Sequence, residues 1–306
     1  MTEPIDGIIP IACVPFTDDE SIDVDALAAQ AGFLLDRGVA GIGIGFGSEL
    51  PRLTEDERGL VTRVLVEAVD GRVPIMVASG ADSTYAAIKR SEAAAQAGAT
   101  LLMVVPPAQG DLSPDGIVAY FAAIGERVTV PIVIQDAPGM TGVQMPASLL
   151  ARICDEVPTV GAIKVEAIPP APKVDAVVRA LRPDVAVLGG AGGMDFFTEL
   201  AYGSRGTVPG PGHPEVFVRI WSEFRAGRLA ESRRIWAHYL PFIMFVGRSM
   251  DTFLVVQKEI LRRRGVFPSH RLRRPGSEGD ARFWAEVDAL LREVDDDPIL
   301  SGRADD

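Results

Sequence analysis

The chain has 306 residues, 47% of them hydrophobic and 24% charged, enough to bury a sizeable core and too apolar for a disordered chain. A formal net charge of −12 opposes binding to nucleic acid and to anionic membranes, both of which need a positive footprint. No apolar run reaches the roughly 18 to 20 residues that span a bilayer. The opening MTEPIDGIIP lacks the basic flank and long apolar stretch of a signal peptide, so a cytoplasmic protein is expected.

From the start to residue 212, short apolar segments alternate with longer amphipathic ones. The pattern predicts strands at Ile8–Val14, Val39–Gly45, Val73–Ala78, Thr100–Val105, Pro131–Gln135, Val160–Val165, Asp184–Leu188 and Gly206–Val208. Helices are predicted between them, among others at Val24–Asp36, Glu55–Val69, Ser83–Ala97, Pro114–Glu126 and Pro146–Glu156. Asp23 stands where a helix cap belongs, and Thr54 with Glu57 has the spacing of a capping box. Eight such units call for a parallel sheet, and eight is the number that closes a (β/α)8 TIM barrel, an α/β fold. A doubly wound open sheet would need a Gly-rich turn after its first strand, and Cys13-Val14-Pro15-Phe16-Thr17 offers none.

Beyond residue 212 the strand signals stop. Pro214–Ala226, Leu229–Val246, Thr252–Arg264 and Ala281–Val294 carry apolar residues at helical spacing. The expected organisation is a catalytic barrel over residues 1–226 and a C-terminal helical annex over 227–306 packed on it, with 295–306 a frayed tail.

The two cysteines, Cys13 and Cys154, sit in apolar segments and read as buried free thiols. His213, His238 and His270 lack ligand spacing, so no metal is expected. The basic runs Arg262 to Arg264 and His270 to Arg274 read as solvated surface.

Four lysines occur. Lys89, Lys173 and Lys258 read as solvated surface residues. Lys164 differs, because it interrupts the apolar strand Val160-Gly161-Ala162-Ile163-Lys164-Val165. Side chains alternate along a strand, so Ala162, Lys164 and Glu166 share one face if the strand persists that far, while Ile163 and Val165 face the helices. Lys164 then points into the barrel near its C-terminal mouth, where barrel active sites are built. A charged lysine is costly there unless paired, and a neutral amine is what attack on a carbonyl requires. The plain alternative is a buried Lys164–Glu166 ion pair with no chemistry.

The segments around Lys164 resemble the dihydrodipicolinate synthase / N-acetylneuraminate lyase superfamily of Schiff-base barrels. The resemblance covers nearly the whole chain. Ile11-Ala12-Cys13-Val14-Pro15-Phe16 is similar to the family's first strand. Gly45-Phe46-Gly47-Ser48-Glu49, with Thr54-Glu55-Asp56-Glu57, is similar to its carboxylate-binding loop and next helix. Pro131 to Pro138 with Thr141-Gly142 resembles its fifth strand, and Gly189-Gly190 with Asp195 its seventh strand and following helix. Gly161-Ala162-Ile163-Lys164 falls on its Schiff-base lysine motif.

The resemblance implies a lyase that holds a small 2-oxo acid on Lys164. In the absence of the family's relay tyrosine, Glu166, two residues on and on the same face, is the candidate general base or acid, and Gln135 is placed to hydrogen-bond substrate or order a water. The resemblance also implies substrate contacts at Gly47, Ser48, Glu49, Gly190 and Val208, no cofactor, and a homo-oligomer, tetramer or dimer. Departures shape the activity expected. Gln135 replaces the family's relay tyrosine, Phe46 and Gly47 its hydroxyl pair, Ala108 a second tyrosine, and Met140 a carboxylate-binding arginine.

The Gln-Asp-Ala-Pro run and the Lys-Val-Glu spacing are more similar to the L-2-keto-3-deoxyarabonate dehydratase branch, which implies dehydration of a 2-keto-3-deoxy sugar acid. The alternatives on the same scaffold are 4-hydroxy-tetrahydrodipicolinate synthesis and pyruvate-releasing aldol cleavage. Outside catalysis, the alternative is a barrel that only binds a small acid.

Overall fold

The computed structural model describes residues 5–108 and 112–295. Within them, eight parallel strands form one curled sheet in the order β1-β8-β7-β6-β5-β4-β3-β2. The strands are β1 (Gly7–Ile8), β2 (Ile42–Ile44), β3 (Ile75–Ala78), β4 (Leu101–Val104), β5 (Ile132–Asp136), β6 (Val160–Val165), β7 (Ala186–Gly189) and β8 (Gly206–Thr207). The sheet's two ends in that order meet: the Gly43 N–H donates to Pro10 O and the Ala12 N–H to Gly43 O, both at 2.8 Å. This is the arrangement of the (β/α)8 class.

Helices follow the strands: α1 (Val24–Leu35), α2 (Glu55–Val69), α3 (Thr84–Gln96), α4 (Pro114–Gly125), the short α5 (Pro138–Thr141) and α6 (Ala147–Glu156), α7 (Pro170–Ala180), α8 (Phe196–Ala201) and α9 (Pro214–Arg225). Local chemistry sets their ends. The Asp23 carboxylate accepts the Ala26 N–H, and Thr54 and Glu57 cap each other's backbone at the start of α2; such caps are worth about 1 kcal/mol each. The predicted first strand is shorter than expected, because Pro10 has no N–H to donate and only Ile11 bridges onward, to Gly43.

Alternation along the strands makes two apolar layers. Ile9, Ile11, Met76, Leu101, Met103, Val133, Ala162, Ala186, Leu188 and Val208 fill the inside of the sheet. Ile134, Ile163, Val165 and Val187 pack outward against the helices. The period-2 reading of the sixth strand therefore holds.

Three more helices, α10 (Leu229–Val246), α11 (Met250–Arg263) and α12 (Ala281–Asp295), follow α9. Tyr239, Phe242, Val255 and Leu291 from them share one apolar cluster with Ile8, Phe196 and Phe217. No single helix among the described residues is long and apolar enough to cross a membrane; α10 and α11 have the composition only as a pair bent by 120°. The expected frayed tail lies almost wholly outside the described residues.

Three surface expectations are corrected. Lys258 is fully buried: its Nζ pairs with Glu49 and donates to Arg271 O at 2.8 Å. Lys173 is largely buried, 3.2 Å from Asp136 and bonded to Met145 O. Within the basic runs Arg262 and Arg274 are exposed as expected, but two residues are clasps: Arg273 pairs with Glu57 at 2.7 Å and lies over the Phe16 ring, and Arg264 pairs with Glu215 at 2.5 Å. The reason is common to all. These cations lie where one element docks on another, and helical or local charge patterns carry no record of docking.

Candidate active site

Strand β6 is paired with β5 so that Lys164 lies beside Gln135. Beyond the last residue of β6 the ladder continues by one bond, from the Glu166 N–H to Asp136 O at 2.9 Å. That bond carries Glu166 onto the inward face, two residues past Lys164. Lys164, Glu166 and Gln135 all line one cavity at the C-terminal end of the sheet, of about 290 Å³.

The three side chains form a compact polar group in an otherwise apolar interior. Lys164 Nζ is 3.0 Å from Glu166 Oε1, and both side chains are largely buried. Gln135 Nε2 donates to Glu166 Oε2 at 2.6 Å, and the Ala191 N–H donates to Glu166 Oε1 at 3.1 Å. Burial pushes the Glu166 carboxyl up, but the Lys164 ammonium, the Gln135 amide and the Ala191 N–H outweigh it and hold the pKa below the usual carboxylate value. Glu166 is therefore a carboxylate at neutral pH. Gln135 is turned by its own donation, which leaves its Oε1 buried without a hydrogen-bond partner.

Gly190 makes room for this carboxylate. A Cβ there would stand 2.4 Å from Glu166 Cγ and 2.9 Å from its Cδ, so any larger residue displaces the side chain. Gly190 thus serves the site through Glu166; Ala191 and Gly192 are the residues of that turn that reach the cavity, and Val208 lines it too.

The loop after β2 divides its labour. Phe46 and Gly47 line the cavity, whereas Ser48 and Glu49 lie behind it. The Ser48 hydroxyl donates to Ala12 O and accepts the Gly45 N–H at 3.1 Å. Glu49, at a left-handed φ of 56°, pairs with Lys258 and with Arg52 at 2.8 Å and accepts the Arg273 N–H at 3.1 Å. Both side chains fix the loop and leave its cavity face to Gly47, over which Phe253 packs; a Cβ on Gly47 would come within 2.8 Å of that ring.

Sequence reasoning missed most of the cavity's outer wall. His213 lines it, its ring tilted against that of Phe242 with centroids 5.5 Å apart. Burial and the charge of Arg264 push its pKa down to about 3, so the ring is neutral. Residues of α10 and α11 complete the wall. Their apolar stripes are visible in the sequence, but a stripe does not say which surface it covers. Among the described residues no group of three or more His, Cys, Asp or Glu side chains is placed to hold a metal ion, and both cysteines are buried free thiols.

The dihydrodipicolinate synthetase family model matches residues 4–294. The chain is a member of that family. Among its relatives, the L-2-keto-3-deoxyarabonate dehydratase of Azospirillum brasilense is 32% identical over 296 residues, 94% of each chain. The 4-hydroxy-tetrahydrodipicolinate synthase of Sorangium cellulosum is 34% identical over 234 residues, 75% of this chain and 77% of that one. Among solved structures, YagE of E. coli K12, a prophage protein of the same family crystallised with pyruvate, superposes with a TM-score of 0.87 at 26% identity, over 94% of this chain and 98% of that one. The family resemblance expected from the sequence is thereby established, and this dihydrodipicolinate synthetase family member is a lyase.

Proposed function

We propose that the protein dehydrates a 2-keto-3-deoxy acid held as an iminium on Lys164. The observation that carries this reading is a lysine amine facing a cavity with one carboxylate 3.0 Å away and in position to exchange its proton. Transfer of a proton from Nζ to Glu166 frees the amine to attack the C2 carbonyl. Glu166 then returns that proton to the carbinolamine hydroxyl, which leaves as water to give the iminium and restores the carboxylate. The iminium draws electrons from the C3–H bond. Glu166 takes that proton to leave an enamine, then returns it to the C4 hydroxyl, which departs as water. Hydrolysis of the unsaturated iminium releases the product and restores the amine.

The 2-keto-3-deoxy sugar acid expected from the resemblance supplies the three groups this sequence uses: carbonyl, C3 proton and C4 hydroxyl. Gln135 contributes the free Oε1 acceptor, which suits a substrate hydroxyl, since a buried acceptor left unpaired costs about 1–3 kcal/mol. The Gly47 backbone suits the substrate carboxylate. Ser48, Glu49 and Gly190 act as positioning residues, and Val208 as a wall. In this reading the barrel region carries the chemistry, and α10 and α11 of the C-terminal helical region roof the cavity.

Dehydration is favoured over dipicolinate synthesis by the glutamine in place of a relay hydroxyl and by Met140 in place of a carboxylate-binding arginine. Borohydride reduction in the presence of 2-oxo acids, followed by peptide mass spectrometry, is expected to place the adduct on Lys164. No adduct with any of them would leave a small-acid-binding barrel. Product analysis separates the reactions, because aldol cleavage liberates pyruvate and dehydration keeps the carbon chain whole.

A further inference from the structure

The cavity extends far past the reacting groups, and its outer half is apolar. Phe217 of α9, Phe242, Ile243 and Val246 of α10, Phe253 of α11 and Met194 line it there. Its rim is apolar as well: Met140, Ile168 and Met250 are 43%, 71% and 45% exposed, in a molecule whose charged surface gives such residues no reason to gather. Four of the chain's eight methionines, Met103, Met140, Met194 and Met250, face this one space. Thioethers adapt to irregular apolar shapes and make favourable contacts with aromatic rings.

Polar side chains are scarce in this half, and several that reach it are already engaged. Gln257 Oε1 accepts the Gly212 N–H at 2.7 Å. The Ser249 hydroxyl caps α11 by accepting the Thr252 N–H at 3.1 Å. The Tyr239 hydroxyl donates to Val294 O at 3.4 Å, and His213 is held neutral. A chain of hydroxyl groups entering here would surrender its water for few partners. At about 290 Å³ the cavity approaches the roughly 300 Å³ at which pockets take drug-sized ligands, far more than a three-carbon acid fills.

We propose that the α9–α11 half of the cavity is a specificity pocket for an apolar substituent, aryl or branched alkyl, carried by the 2-oxo acid beyond its leaving hydroxyl. This rests on Lys164 as the iminium-forming residue and names the substrate class. The polar end of the substrate meets Lys164, Glu166, Gln135 and the Gly47 backbone. Its tail displaces water from phenylalanine and methionine side chains, and the exposed rim admits tails longer than the cavity.

The test compares concentration dependence of borohydride trapping at Lys164 for pyruvate, 2-oxo-4-phenylbutanoate and 2-keto-3-deoxy-L-arabonate. The phenyl acid is expected to half-saturate at a concentration about 100-fold below pyruvate, since one methylene in an apolar pocket is worth roughly 10- to 200-fold. A phenyl acid within threefold of pyruvate, or a sugar acid that half-saturates lowest, overturns the proposal and leaves the lysine chemistry standing. Absence of an adduct with all three overturns the lysine chemistry instead. In that event thermal shifts of Lys164→Ala with the same acids still decide the pocket: greater stabilisation by the phenyl acid supports it, and equal stabilisation sinks it. Met250→Asp, at the exposed rim, is expected to shrink the phenyl-to-pyruvate preference about tenfold, and an unchanged preference would count against the pocket.

Discussion

Lys164 and Lys258 are both buried, and each is paired with a glutamate, but their surroundings differ in one respect that matters. Lys258 is enclosed on all sides. Glu49 and the Arg271 carbonyl accept its hydrogen bonds, and the centroid of the Phe16 ring lies 4.5 Å from its Nζ. Lys164 stands at the wall of a cavity, and its carboxylate partner is also bonded to Gln135 and Ala191. A buried lysine–glutamate pair is therefore no sign of chemistry by itself. In the proposed reading, access for a carbonyl at the C-terminal end of the sheet makes one pair a reaction centre, whereas the other is a fastener between the β2 loop and α11.

Exchanging the roles of the two lysines breaks the comparison most directly. Lys164→Ala is expected to lower turnover on the order of 10⁴-fold or more, with loss of the borohydride adduct. It should lower the urea midpoint less than the Lys258 change below, because Glu166 faces the cavity and keeps its Gln135 and Ala191 hydrogen bonds. Substantial residual adduct in that variant would mean that Lys258, or another amine, does the work.

Glu166→Gln comes next, with turnover down about 10²- to 10⁴-fold as measured by product formation. Its adduct should still form, more slowly. Because the Glu166 carboxyl is held below its ordinary value, wild-type kcat/KM should fall only as the pH drops below the usual carboxylate range. The variant should lack that acid limb. An identical pH profile in both would remove Glu166 from proton transfer.

Lys258→Met tests the other side. It takes one of two cations from the buried Glu49 carboxylate, which keeps Arg52 and the Arg273 N–H. A stability loss of about 1–3 kcal/mol is expected in urea unfolding, with the adduct at Lys164 retained. Adding Glu49→Gln should restore part of it, because the two changes share one interaction. Full additivity would show that the pair is energetically inert.

Glu199 sharpens the contrast by being a buried carboxyl with no paired cation among the described residues. It lies behind β7, so close that a Cβ on Gly189 would meet its Oε2. Burial, then Asp195 and Glu166, raise its pKa from 4.5 to about 8. A raised acid stabilises the fold fully below pH 4.5, and that contribution is lost as the pH climbs toward 8. Glu199→Gln should thus match the wild type in acid and exceed it at pH 8 by roughly 1–3 kcal/mol in thermal or urea unfolding. A gap that shrinks as pH rises would contradict the assignment.

Much of the fold was legible because strand and helix periods are written into single segments. The α2 range, the β6 range and the α10 range agree with expectation residue for residue, and each has a strong local signal: a capping box, an apolar run interrupted by one lysine, a long apolar stripe. Lys164 was legible for the same reason, being a cation at an inward position of such a run. Glu166 followed from alternation, although only the bond to Asp136 O shows that the alternation continues. Ser48 and Glu49 show the limit. Their position next to Gly47 was plain, but whether a side chain in a tight turn points to the cavity or behind it depends on the turn's dihedrals and on partners as distant in sequence as Lys258 and Arg273.

The order of residues alone determined that inward and outward faces alternate, that eight strand–helix units precede a run of helices, and that one lysine lies on an inward face. Those are local properties, fixed by backbone geometry over a few residues. Tertiary structure decided which helices cover the mouth, and so that the space before Lys164 is lined by phenylalanine and methionine. It also decided that Lys258 lies inside. Docking of α9 to α12 joins residues some two hundred positions apart, and long-range packing of that kind leaves no periodic trace in either partner.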